Sequence, residues 1–210
     1  MAVMIAAPSQ PGRRALCSTA QTDTAATMSN PTNTPASPPW PNVPACYDWL
    51  SLDRRGTWRL RGEAVIHAGL RAFLDRYYGH DDAGNWFVQN GPQKVYAALD
   101  YMPLVLRLQP DGSLHTHASD DAGAISGVWL DEEGNMLLAT AAGPALVDDR
   151  DLAALLAECQ LADGSPASDE ALLAALEGQT LLRWRDLPVQ TLSRADAPAV
   201  FRFNPAPRAS

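Results

Sequence analysis

Three groups of residues in this chain have the types and spacing to do chemistry. The first is His115-Thr116-His117. Strand residues two apart share a face, so both imidazoles could ligate one metal ion, with Asp120 or Asp121 just beyond to add a carboxylate. The same residues also suit a solvated strand face near a hairpin end, and no third ligand stands at motif spacing. The second group is Arg54, Arg55, Arg59 and Arg61, the one dense basic cluster. Arg59 and Arg61 alternate onto one strand face and could bind a phosphate or carboxylate; Lys94, in Asn90-Gly91-Pro92-Gln93-Lys94, could grip an anion likewise. Against this stand the missing glycine-rich phosphate loop and the option of pairing with the acidic stretch 110–178. The third is Cys46, whose thiol would have a lowered pKa at a helix start; no catalytic partner lies near it in sequence, so a buried structural cysteine is the better reading.

These residues need elements to hold them. The most organised stretch is 84–108, GNWFVQNGPQKVYAALDYMPLVLRL. Trp86 and Val88 alternate onto one face, with Val95, Ala97 and Leu99 facing them from the next run. Pro92 lacks the N–H that an Asn-Gly hairpin turn needs, which favours a four-residue loop at 90–93. The register then sets Gln89 opposite Lys94, Val88 opposite Val95 and Phe87 opposite Tyr96. A third run, 104–109, extends this to an antiparallel meander. Upstream, the spacing predicts a short helix from Pro44 through Cys46, Trp49 and Leu50, then a strand at 57–61. It next predicts a helix over 67–78 with the stripe Ile66, Leu70, Phe73, Leu74 and Tyr77, closed by Gly79. Downstream, strands are expected at 113–118, 127–130 and 135–140. Helices follow, capped by Asp148 or Asp149 and by Ser168, then late strands at 180–185, 189–192 and 200–203. The fold class is α+β: an antiparallel sheet of hairpins packed against a few helices.

Residues 1–43 are rich in Ser, Thr, Pro, Ala and Asn without an apolar period, and are expected to be a disordered tail. Met28 within it is a second candidate start. The domain is expected over 44–205, with 206–210 as a short tail. Three widely spaced cysteines (Cys17, Cys46, Cys159) make no disulfide framework and fit a reducing compartment. The opening residues lack a basic region ahead of their short apolar run, and no stretch is apolar enough to span a bilayer, so a cytoplasmic location is expected, with no membrane partner.

The net charge of −8 argues against broad nucleic-acid binding. The excess is local: 110–178 holds 14 acidic residues and one basic, Arg150. No G-x-S-x-G, H-E-x-x-H, C-x-x-C or G-x-G-x-x-G stands in a supporting context. Residues 55–108, with GTWRLRG, a helix and then DDAGNWFVQNGPQKVYAALDYMPLVLRL, resemble small proteobacterial proteins of an uncharacterised domain family. That resemblance implies a bacterial intracellular protein and carries no activity. The reading is therefore a non-catalytic module binding an unidentified small ligand or protein, without a cofactor. The alternatives are a small enzyme using a divalent transition metal at His115, His117 and Asp120, and an anion binder using Arg54–Arg61.

Overall fold

The computed structural model describes residues 44–209. The expected tail, 1–43, and Cys17 lie outside the described residues. The chain opens with β1 (Ala45–Leu52), β2 (Trp58–Leu60), β3 (Glu63–Ala64) and α1 (Ala68–Arg76). Then come β4 (Tyr78–His80), β5 (Trp86–Asn90) and β6 (Gln93–Leu99). These six strands form one sheet in the order β3-β2-β1-β6-β5-β4.

The predicted helix at Cys46 is instead the strand β1. Cys46 and Leu50 are four positions apart, while their partners Val95 and Ala97 on β6 are two apart, so β1 carries an excursion that ejects Asp48 at φ 59°. Cys46 and Leu50 therefore face the same core at a spacing that mimics a helical period. Helix α1 begins where expected, with His67 Nδ1 accepting from the N–H of Leu70. It ends sooner. Gly79 lies in β4 opposite Phe87 rather than capping the helix. Of the predicted stripe only Leu74 is buried, and Ile66 is 87% exposed.

The hairpin β5–β6 has the register read from the sequence: Val88 with Val95, Phe87 with Tyr96, Gln89 with Lys94. Its turn is tighter than predicted, because Asn90 also pairs with Gln93 and leaves Gly91-Pro92 alone at the bend, with Gly91 at φ 57°. Trp86, Val88, Val95 and Ala97 are buried together. The third run does not continue this meander. The free edge of β6 is taken by β1, in parallel. The run becomes β7 (Leu104–Leu108) of a second sheet, where Leu104, Val105 and Leu106 are buried in succession because both faces are covered.

That sheet adds β8 (Leu114–Thr116), β9 (Ile125–Leu130), β10 (Met136–Thr140), β11 (Gly143–Val147), β12 (Cys159–Gln160), β13 (Leu182–Trp184) and β14 (Leu187–Thr191). Its order is β12-β13-β14-β9-β10-β11-β7-β8, with β11/β7 and β14/β9 parallel. The fold is α+β with mixed sheets rather than an antiparallel one. Helices α2 (Asp149–Leu156) and α3 (Asp169–Leu176) are capped by Asp148 and Ser168 as their sequences predict. Residues 200–203 are not a strand. Residues 200–202 fall in α4 (Ala197–Phe201) and its left-handed end at Arg202, with Phe203 just beyond, because Pro198 suits a helical first turn and has no N–H for a ladder. No helix among the described residues is long and apolar enough to cross a membrane.

Three turns share one construction. Asp53, Asp81 and Asp131 each accept from the N–H groups two and four residues on, and their carbonyls accept from Gly56, Gly84 and Gly134. Asp131 is buried, and it also accepts from the hydroxyl of Tyr101 at 2.8 Å. At Gly84 the late chain comes in close: a Cβ there would stand 2.3 Å from the Arg202 carbonyl oxygen. Asn204 donates from its backbone to Gly84 and from its amide to Asn85, and Leu99 donates to the Pro205 carbonyl.

Between the sheets lies an aromatic seam. Trp58 meets Tyr78 edge to face at 4.8 Å, and Tyr78 lies 4.9 Å from Trp86. The ring of His117 stands 5.5 Å from Trp58 and 5.6 Å from Tyr78.

Candidate ligand cleft beside His117

The seam supports an open cleft of about 610 Å³ between the second half of α1 and the segment that follows β8. From α1 come Ala72, Asp75 and Arg76; from the other wall come residues 116–121. Leu74, buried beneath α1, fixes the rotation of the helix and so turns its neighbour Asp75 toward Trp58. The Trp58 indole N–H donates to Asp75 Oδ1 at 2.6 Å. Burial raises the Asp75 carboxyl above its ordinary range, against the opposing pull of that bond and of the Arg71 charge.

The opposite wall braces itself. Thr116 Oγ1 accepts from the N–H of Ala118, the Asp121 N–H donates to Ser119 Oγ, and Asp121 Oδ1 accepts from Gly123 at 2.7 Å. Asp120 is exposed beside them. Among the described residues, Asp75, Asp120 and Asp121 take part in no ion pair, although Arg76 shares the cleft.

His117 joins the two walls to the seam. Its backbone N–H donates to the Val105 carbonyl, and its Nδ1 accepts from the Val105 N–H at 3.2 Å. Part of the residue reaches the cleft, but Nε2 is sealed from solvent and has no hydrogen-bond partner. Burial depresses the imidazole pKa to about 4, against the raising effect of Asp53. The ring is therefore neutral at pH 7. With Nδ1 accepting, its proton sits on Nε2, among the aromatic faces.

Residues 34–208 match the model of the family DUF2944, described as "Protein of unknown function (DUF2946)". The chain belongs to the DUF2944 family. The match runs well beyond residues 55–108, on which the resemblance to an uncharacterised family rested. No curated protein matches. Among solved structures, a DUF1285 family protein from Silicibacter pomeroyi DSS-3 is 18% identical with a TM-score of 0.45, over 59% of this chain and 78% of that one. A DUF1285 family protein from Shewanella baltica OS155 is 16% identical with a TM-score of 0.38, over 49% and 86% respectively.

In this DUF2944 chain, His117 and Asp120 of the predicted metal set come to the cleft. His115 is instead on β8 opposite Arg107. Among the described residues, no group of three or more His, Cys, Asp or Glu is placed to hold a metal ion.

The predicted arginine face disperses. Arg61 leaves the strand at φ 50° and lies 3.5 Å over the Trp49 ring. Arg59 pairs with Asp53 at 3.2 Å and donates to the Gly62 carbonyl. Arg54 binds Asn135 and Glu133, and Arg55 binds Asp149, so both turn to the acidic 110–178 stretch. Lys94 lies 4.3 Å over Phe87.

Cys46 has no activated thiol, because burial raises its pKa; burial likewise moves Cys159 up to about 11. Sequence reasoning missed Asp75 and Trp58. They stand 17 residues apart in different elements, and no local pattern joins them.

Proposed function

We propose that this DUF2944 chain is a non-catalytic ligand-binding module and that its cleft takes a small organic cation carrying a hydrogen-bond acceptor. The observation that carries this reading is the meeting of Asp75, Asp120 and Asp121, none in an ion pair among the described residues, in one cleft of about 610 Å³. Three carboxylates facing one volume against the single cation Arg76 raise the local concentration of cations and favour an ammonium or guanidinium over an anion. Ser119 supplies a hydroxyl and Arg76 a donor for the acceptor end. The anion-binding alternative is weakened by the partners that Arg54, Arg55 and Arg59 already hold. A metal-dependent enzyme at His115, His117 and Asp120 would need Nδ1 of His117 to give up its bond to Val105.

Calorimetric titration with arginine and with lysine, each a side-chain cation with a carboxylate acceptor, tests the reading. Saturable one-to-one binding is expected for at least one of them. Asp75→Asn combined with Asp120→Asn should weaken it about tenfold or more, whereas Arg59→Ala should leave it unchanged. Absence of heat with both probes, or equal binding by the double variant, would overturn the assignment.

A further inference from the structure

A second surface has the opposite chemistry. Along α3 runs a groove of about 330 Å³ whose walls are Leu130, Leu156, Leu172, Leu173 and Leu176, with Asp169 and Glu133 at its rim. Helix α3 is apolar along most of its length, yet it buries only Ala175 fully, and Leu173 is 63% exposed. A surface helix normally turns such leucines into a core. Here they line an open groove.

The surroundings are mainly acidic, although Glu133 at the rim is paired with Arg54 and Arg194. From Asp151 to Leu182 the chain has six acidic residues and no Lys, Arg or His. Asp151 and Glu158 are paired with Arg107 and Arg185. Asp163, Asp169, Glu170 and Glu177, the last three on or beside α3, take part in no ion pair among the described residues.

From this charge complementarity we infer that the α3 groove docks an amphipathic helix of a partner protein, leucine-type side chains inward and Lys or Arg along its flanks. Leucine-lined grooves take helices through anchors at i, i+3 or i+4 and i+7, and the acidic rim selects basic flanks over acidic ones. A polar small ligand does not suit these walls, and anionic lipid would be repelled by the rim. The inference is independent of the cleft beside His117, because the two sites share no residue.

The test uses the full chain and a fluorescein-labelled 18-residue peptide with leucine on one helical face and lysine on the other. A second peptide of the same pattern carries glutamate for lysine. The leucine–lysine peptide should bind saturably at one site, the leucine–glutamate peptide at least tenfold more weakly. Leu173→Asp should weaken the first peptide about tenfold while leaving the thermal midpoint unchanged, since the side chain is largely exposed. Asp169→Lys with Glu170→Lys should weaken it severalfold and reduce its salt dependence. Equal affinity for the two peptides, or no loss in Leu173→Asp, would overturn the inference. So would a concentration-dependent dimer in sedimentation that Leu173→Asp dissolves, because a second copy would then be the occupant.

Discussion

The cleft beside His117 and the groove along α3 differ in what lies behind them. Behind the cleft is the aromatic seam, where Trp58 is 1% exposed and its one polar atom is tied to Asp75. Behind the groove is a helix held by a single fully buried alanine. A change at Trp58 or Asp75 therefore reaches the core, whereas a change at Leu173 stays at the surface. Function can be separated from stability easily at α3, and only with conservative substitutions at the cleft.

The largest effect should come from Trp58→Ala, which removes a fully buried indole from contact with Tyr78 and His117 and leaves Asp75 without its donor. A loss of about 3–5 kcal/mol in urea unfolding is expected. A loss below about 1 kcal/mol would erase the contrast between the two sites.

The next effect is of acid. The folded pKa of His117, about 4, lies below its ordinary 6.5, so the unfolded chain takes up the proton first. The stabilisation is whole above about pH 6.5 and is lost as the pH falls through 4, roughly 3 kcal/mol in all. Subtracting the unfolding curve of His117→Phe from that of the wild type should isolate this slope. A flat difference between pH 4 and 6.5 would mean that the ring is solvated.

The smallest effect should be that of Leu173→Ala, within about 0.5 kcal/mol of wild type. A loss above 2 kcal/mol would show that α3 is held as firmly as the seam.

How far the sequence carried this picture depends on the range of each contact. The register of β5–β6 was legible because Trp86, Val88, Val95 and Ala97 alternate and the turn residues lie between them. The caps of α2 and α3 were legible because Asp148 and Ser168 act within three residues. Local alternation cannot say which sheet receives a strand, and so β7 was assigned to the wrong one. Nor can it show a two-residue excursion such as that at Asp48, which gave β1 a helical spacing. At the candidate site, His117 and Asp120 were visible as residue types. The indole that sets Asp75 in place lies 17 residues away, and the arginines drew partners as distant as Asp149.

The return of the late chain to the first sheet has a consequence for the order of events during synthesis. Gly84, Asn85 and Leu99 wait for Asn204 and Pro205, which are made more than a hundred residues later. At roughly 5–20 residues per second, the β5–β6 hairpin emerges several seconds before the segment that closes over it. In that interval the Gly84 carbonyl, Asn85 Oδ1 and the Leu99 N–H are open to water. Docking of the late segment onto Gly84, Asn85 and Leu99 therefore follows the synthesis of all six strands of the first sheet.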